Sequence, residues 1–122
     1  MATQTVVQTD PNTDTVSLTT AAAMGNADTS TSFVIGPCQQ AYFSLQGTAG
    51  AATLVVQASF DGGTTWTTLK DGTPSAAAMS YTAATANPIP WVPPAGALLR
   101  VQTSGGAGTA FAWFITYAKA FG

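Results

Sequence analysis

Hydrophobic and polar residues alternate along much of this chain. The cleanest run is Thr53 to Phe60, where Leu54, Val56, Ala58 and Phe60 fall on one face and Thr53, Val55, Gln57 and Ser59 on the other. Alternation of β-branched and aromatic residues with polar ones predicts a half-buried strand. Asp61-Gly62-Gly63-Thr64 then supplies turn chemistry: the aspartate can accept from nearby amides, and the glycines tolerate positive φ. Trp66 to Leu69 is predicted to return as the partner strand, so that residues 53–70 form a central hairpin.

The same pattern predicts the other elements. Thr15 to Thr19 turns Val16 and Leu18 inward, and Ser32 to Ile35 carries Phe33 and Ile35 up to the stop at Gly36-Pro37. Ala41 to Gln46 sets Ala41, Phe43 and Leu45 against Tyr42, Ser44 and Gln46. Gly47-Thr48-Ala49-Gly50 turns the chain into the hairpin. Ala97 to Thr103 sets Leu99 and Val101 against Leu98 and Arg100. Beyond a loose turn at Gly105-Gly106-Ala107-Gly108, Ala110 to Lys119 is apolar on both faces, which places it centrally or against a partner. Ala21 to Met24 is the one stretch that reads as a helical turn, and it is too short to form alone; Gly25-Asn26-Ala27-Asp28 closes it as a loop. Residues 71–90 read as a long irregular loop with a weak strand near Ser80 to Ala83. A loop that long is functional or covered. Asn87 to Pro94 must be extended around its prolines. Short strands, glycine-rich turns and no convincing helix predict one all-β domain, a β-sandwich or jelly roll, over residues 15–122. Residues 1–14 precede it as an arm or edge strand, with a β-like piece at Thr5 to Gln8 and a turn at Asp10 to Asp14.

Composition narrows the surface. Of 122 residues, 46% are hydrophobic and only 7% charged, against about a quarter charged in an ordinary soluble domain. Such a surface has little charge repulsion to keep copies apart, which favours a chain covered by partners or by its own copies over a soluble monomer with a threonine-rich face. Net charge is −2, and the cations are Lys70, Arg100 and Lys119. Three scattered positive charges do not match a run of phosphates, so no nucleic-acid partner is expected. No apolar run approaches the ~20 residues of a membrane helix. The opening MATQTVVQTD lacks the basic start and apolar stretch of a signal peptide, which implies synthesis in the cytoplasm without export. Cys38 is the single cysteine, read as a small buried hydrophobe rather than a reactive thiol.

Chemistry is sparse. Histidine is absent, and the five acidic residues are all aspartate. That removes Ser-His-Asp and Cys-His arrangements, histidine metal sites and glutamate acids together, so no enzyme activity and no cofactor are expected. Asp10-Pro11-Asn12-Thr13-Asp14 begins like a calcium loop, but Thr15 and Ala21 stand where glycine and glutamate belong. A turn is the better reading, and no metal is expected. Trp91 and Tyr81 are candidates for a sugar-binding platform, with an anchor for the proline segment as the preferred role of Trp91. Trp66 and Trp113 read as core, and Arg100 as the partner of an aspartate.

One stretch has specific wording. Ser59-Phe60-Asp61-Gly62-Gly63-Thr64-Thr65-Trp66 fits the S-x-D-x-G-x-T-W pattern of an Asp-box, and it resembles the S-x-D-G-G-T-T-W hairpin of small β-sandwich modules in tailed-bacteriophage virion proteins. Val92-Pro93-Pro94-Ala95-Gly96-Ala97-Leu98-Leu99-Arg100-Val101 is similar to the V-P-x-A-G-x-x-x-R-V segment that follows in those modules. The resemblance covers roughly residues 40–118. It implies a structural hairpin built from Ser59, Asp61, Gly63, Thr65 and Trp66, with the aspartate tying the turn and the tryptophan packed beneath. Asp-boxes also occur in sialidases, which need an arginine cluster and repeated blades; Arg100 is the one arginine and the motif occurs once.

Head decoration (cement) proteins of such phages are likewise short, all-β and low in charge, and many assemble as trimers on a capsid. The resemblance therefore implies a virion location, a partner in the major capsid protein or other virion proteins, and a homotrimer. A tail, baseplate or fibre module binding a host receptor or glycan is the alternative. Val6, Val7, Tyr81, Trp91 and Pro93 are the candidate partner contacts, with residues 1–14 and the 71–90 loop expected to face neighbours.

Overall fold

The alternating segments fold as strands, and no helix occurs among the described residues. The computed structural model describes residues 3–12, 15–20, 24–25, 28–35, 40–48, 53–83, 85, 88–94, 96–104 and 110–118. The strands are β1 (Thr3–Gln4), β2 (Val6–Asn12), β3 (Thr15–Thr20), β4 (Thr29–Ser30), β5 (Ala41–Thr48), β6 (Thr53–Ser59), β7 (Thr67–Thr68), β8 (Ser80–Tyr81), β9 (Ile89–Trp91), β10 (Leu98–Ser104) and β11 (Ala110–Ala118).

Two sheets pack face to face. One runs β2-β3-β11-β5-β9 and the other β1-β4-β10-β6-β7, with β8 also on β6. Setting β1, β2 and β8 aside and renumbering the remaining eight strands in chain order, the sheets read 1-8-3-6 and 2-7-4-5. This is the strand order of a jelly roll, two Greek keys folded into a sandwich. Pairing is antiparallel throughout these eight strands, and β1 lies parallel to β4. The inward residues of each strand form one core, including Val16, Leu18, Phe43, Leu45, Leu54, Val56, Leu99, Val101, Phe111, Trp113 and Ile115. Strand β11 lies between β3 and β5. Its face bearing Phe111, Trp113 and Ile115 is buried, while Ala112, Phe114 and Thr116 opposite are half-buried.

The N-terminal segment joins both sheets. Thr31 accepts from Val6 N–H through its hydroxyl at 3.0 Å and donates its own N–H to the Gln4 carbonyl at 2.8 Å, which pins the crossover at Thr5. Beyond it, the expected turn at Asp10 is replaced by strand: β2 continues to Asn12, with a register irregularity between Thr9 and Asn12 that absorbs Pro11. A proline is tolerated at such an irregularity on an edge strand.

Three other expectations shift. Met24 is not helical; it exchanges backbone hydrogen bonds with Phe111 at 2.8 and 2.9 Å, and its buried side chain accepts from Trp113 Nε1 at 3.1 Å. The strand expected at 32–35 shrinks to a bridge between Phe33 and Leu99. Upstream, the Ser30 hydroxyl takes the Val101 N–H at 2.8 Å, so side chain replaces backbone in that part of the ladder. The strand expected from Trp66 to Leu69 keeps two residues, because the irregular stretch after it is folded onto the same edge. Val56 accepts from Leu69 N–H at 3.0 Å and donates to the Met79 carbonyl at 3.0 Å. The chain therefore leaves the edge of β6 after Leu69 and returns at Met79, whose side chain is buried. Residues 70–78 form an excursion closed by the bridge between Lys70 and Ala78. Thr13, Asp14, Ala21 to Ala23, Asn26, Ala27, Gly36 to Gln39, Ala49, Gly50, Asn87, Ala95, Gly105 to Gly108 (expected as a turn) and Lys119 lie outside the described residues.

Candidate functional site

The hairpin turn between β6 and β7 is built from side-chain acceptors. Ser59 Oγ donates to Asp61 Oδ1 at 2.7 Å and accepts from Gly63 N–H at 2.9 Å. Asp61 Oδ1 also accepts from the N–H groups of Thr64 and Thr65, at 3.1 and 2.9 Å. Gly62 and Gly63 take φ of 78° and 100°, the left-handed region that glycine enters without steric cost. Trp66 closes the turn by donating Nε1–H to the Gly63 carbonyl at 3.0 Å.

Satisfying the turn overrides the alternation of β6. Ser59 is buried at 2% exposure, while Phe60, which the pattern places inward, is 73% exposed. The serine must sit inside to reach both Asp61 and Gly63, and its neighbour is turned outward as a result.

Trp66 lies outside the core, contrary to the sequence expectation. It is half-buried on the outer face, where the Arg100 guanidinium carbon lies 4.3 Å from its ring centroid. Arg100 also donates Nε–H to Gln57 Oε1 at 2.8 Å. Its partners are thus an amide and an indole face, where an aspartate was expected. Trp113 is fully buried and stacks on Phe33 with centroids 5.8 Å apart.

Electrostatics agree with a tie rather than a reactive group. The Thr65 N–H, then the hydroxyls of Ser59 and Thr65 and the Thr64 N–H, hold the Asp61 carboxyl down at about 2. A carboxylate so fully satisfied is a weak base at neutral pH, and its Ser59 neighbour is engaged as a donor to it. No group of three or more His, Cys, Asp or Glu side chains among the described residues is placed to hold a metal ion.

The remaining candidates are scattered. Trp91 is fully buried with its Nε1 unpartnered, so its ring offers no outward platform. Tyr81 is half-buried and stacks on Phe43 at 5.2 Å. Its hydroxyl is buried without a partner, and burial, reinforced by Asp71, pushes the phenol up to about 12. Pro93 is buried, Val6 packs partly against the core, and Val7 is 37% exposed.

Two anchoring aspartates escaped the sequence reading. Asp71 Oδ1 accepts from Thr73 N–H at 3.1 Å, Thr73 Oγ1 at 2.6 Å and Ala77 N–H at 3.1 Å, organising the 70–78 excursion. Its signal, Asp-Gly-Thr-Pro, is the same turn chemistry as Asp61-Gly62. Asp28, nearly buried, accepts from Gly25 N–H at 2.7 Å and Gln4 Nε2 at 3.1 Å and joins them to Thr103 of β10.

Two shallow recesses accompany these features. One of about 280 Å³ lies between the hairpin turn and the segment before β10, lined by Ser59, Phe60, Gly62, Gly96, Ala97 and Leu98. The other, about 450 Å³, lies on the outer face of β5 and β11 beside Tyr42, Ser44, Pro88 and Thr116. Compared with protein families, curated proteins and solved structures, the chain matches none.

Proposed function

We propose that this chain is a structural protein of a tailed-bacteriophage virion, and most specifically a head decoration (cement) protein that binds and stabilises the head lattice. The carrying observation is that the two stretches of phage-like wording meet in space. Leu98 of the second pairs with Ser59 of the first, and Arg100 lies over Trp66. The two stretches thus pack against each other through Leu98–Ser59 and Arg100–Trp66, which supports reading them together.

The composition supports the same reading. A protein with 7% charged residues suits a surface covered by a shell and by its own copies. In this reading the partner is the major capsid protein or another virion protein, the free protein is a homotrimer, and no catalysis, cofactor, nucleic acid or membrane is involved. The glycan-binding alternative loses its aromatic platform, since Trp91 is buried and Tyr81 lies against Phe43. Titration of the protein onto virus particles stripped of it tests the proposal. Saturable binding with a fixed number of copies per particle is expected. A protein that ignores particles and binds host-surface glycans would move the assignment to a tail or fibre module.

A further inference from the structure

The three most exposed large hydrophobic residues among those described are Phe60 at 73%, Val92 at 65% and Val34 at 52%. They are far apart in sequence, yet the topology brings them to one end of the sandwich. Strand β6 ends at Ser59, which pairs with Leu98 at the start of β10. Phe60 opens the loop after β6, and Val92 lies in the loop before β10. On the other side of β10, Phe33 bridges Leu99 in antiparallel sense, so Val34 runs beside Leu98. Single exposed hydrophobics are ordinary. Three from separate loops at one end make an apolar tip, and such patches mark interaction sites.

The tip is tied down by hydrogen bonds at its most exposed large hydrophobic residue among those described. Phe60 sits between Ser59 and Asp61, whose side chains bond each other at 2.7 Å, with Gly63, Thr64 and Thr65 tied to the same pair. A knob on a pre-ordered turn loses little freedom on binding. The recess of about 280 Å³ beside it, lined by Gly96, Ala97 and Leu98, gives the tip relief.

Charge narrows the partner. Among the described residues 31–35, 60–66, 92–94 and 96–97, the one charged side chain is Asp61. Asp61 is exposed and held ionised. An anionic lipid surface would repel it, and Arg100, the cation that lies against this hairpin, is already engaged by the Trp66 ring and Gln57. A protein surface with an apolar hollow bordered by lysine or arginine is complementary to both features.

We propose that this end of the sandwich, centred on Phe60 with Val34 and Val92 around it, is the surface that docks on the shell protein, Phe60 entering an apolar hollow flanked by a basic side chain. The inference rests on the virion reading above and specifies which surface binds. The test titrates wild type, Phe60→Ser, Val92→Ser, the double variant and Tyr42→Ser onto particles stripped of the protein, with thermal melts of each. The exposed sites leave melting unchanged, and the double variant binds about tenfold more weakly or worse, as loss of a central anchor does. Tyr42→Ser, on the outer face of β5, binds as wild type. A double variant that binds like wild type overturns this inference and leaves the virion reading standing. Wild type that does not bind overturns the virion reading and the inference with it. Wild type that binds phosphatidylcholine vesicles through the same two residues would make the occupant a lipid surface and overturn the protein partner.

Discussion

Arg100 lies over Trp66 at 4.3 Å from the ring centroid, so the only arginine of the chain is held against the outer face of the hairpin. A cation over an indole at a partly exposed site contributes about 0.5–1 kcal/mol. A double-mutant cycle of Trp66→Ala and Arg100→Ala is expected to return a coupling of about that size. Trp113→Ala, by contrast, empties a core position and should cost about 3–5 kcal/mol in denaturant melts. Equal costs for the two tryptophans would place Trp66 back in the core.

Asp61 gives a pH signature. Its carboxyl titrates at about 2 in the fold, against an ordinary 3.8. The folded value is depressed, so the stabilisation is complete above about pH 4 and is lost as pH falls toward about 2. Asp61→Asn should therefore melt lower than wild type at neutral pH, with the gap closing between pH 4 and 2. A gap that stays constant down to pH 2 would mean the charge plays no part in the turn.

Tyr81 predicts a gain. Its hydroxyl is buried with no partner, a cost that Tyr81→Phe removes. The variant should be more stable by about 1 kcal/mol. Because the folded phenol is raised from 10.0 to about 12, its share of stability is lost as pH rises through that range. The phenylalanine variant should lack this alkaline loss, as melts from pH 9 to 12 would report.

Gly72 sits where a Cβ would be tight against backbone. A Cβ there would lie 3.0 Å from the Pro90 carbonyl oxygen and 3.3 Å from Trp91 Cα. Its own N–H already donates to that oxygen at 2.6 Å. Gly72→Ala should cost about 1–3 kcal/mol by forcing the excursion away from β9. An unchanged melting point would show that the excursion yields freely.

The assembly expected of the free protein is a homotrimer, to be read by light scattering. With three cations in the chain, particle binding should change little between low and moderate salt, since few screened ion pairs can form. A steep salt dependence would point to an interface dominated by charge.

What the sequence made legible is what local pattern controls. Leu54, Val56 and Ala58 face inward because alternation is strict there, and Asp61 to Gly63 turn because aspartate and glycine have few rivals for those positions. Where a longer-range bond competes, pattern fails. Ser59 turns inward for its hydrogen bonds and expels Phe60, which inverts the expected faces at the one place that matters most for the proposed contact. Met79 returns the chain to β6 through its buried side chain and its backbone bonds to Val56 and Leu69, and no local periodicity announces it. Trp66 has the composition of a core residue, but its exposure is decided by Arg100 from a strand thirty-four positions on (100 − 66).

The excursion at residues 70–78 has a practical use. Lys70 and Ala78 are bridge partners, so its two ends are held together whatever hangs between them. Pro74 and Ser75 are exposed at its crest. Because the entropy of closing a loop grows only with the logarithm of its length, a foreign peptide spliced between them would leave both sheets intact. The crest is thus a position at which the fold can carry an inserted segment.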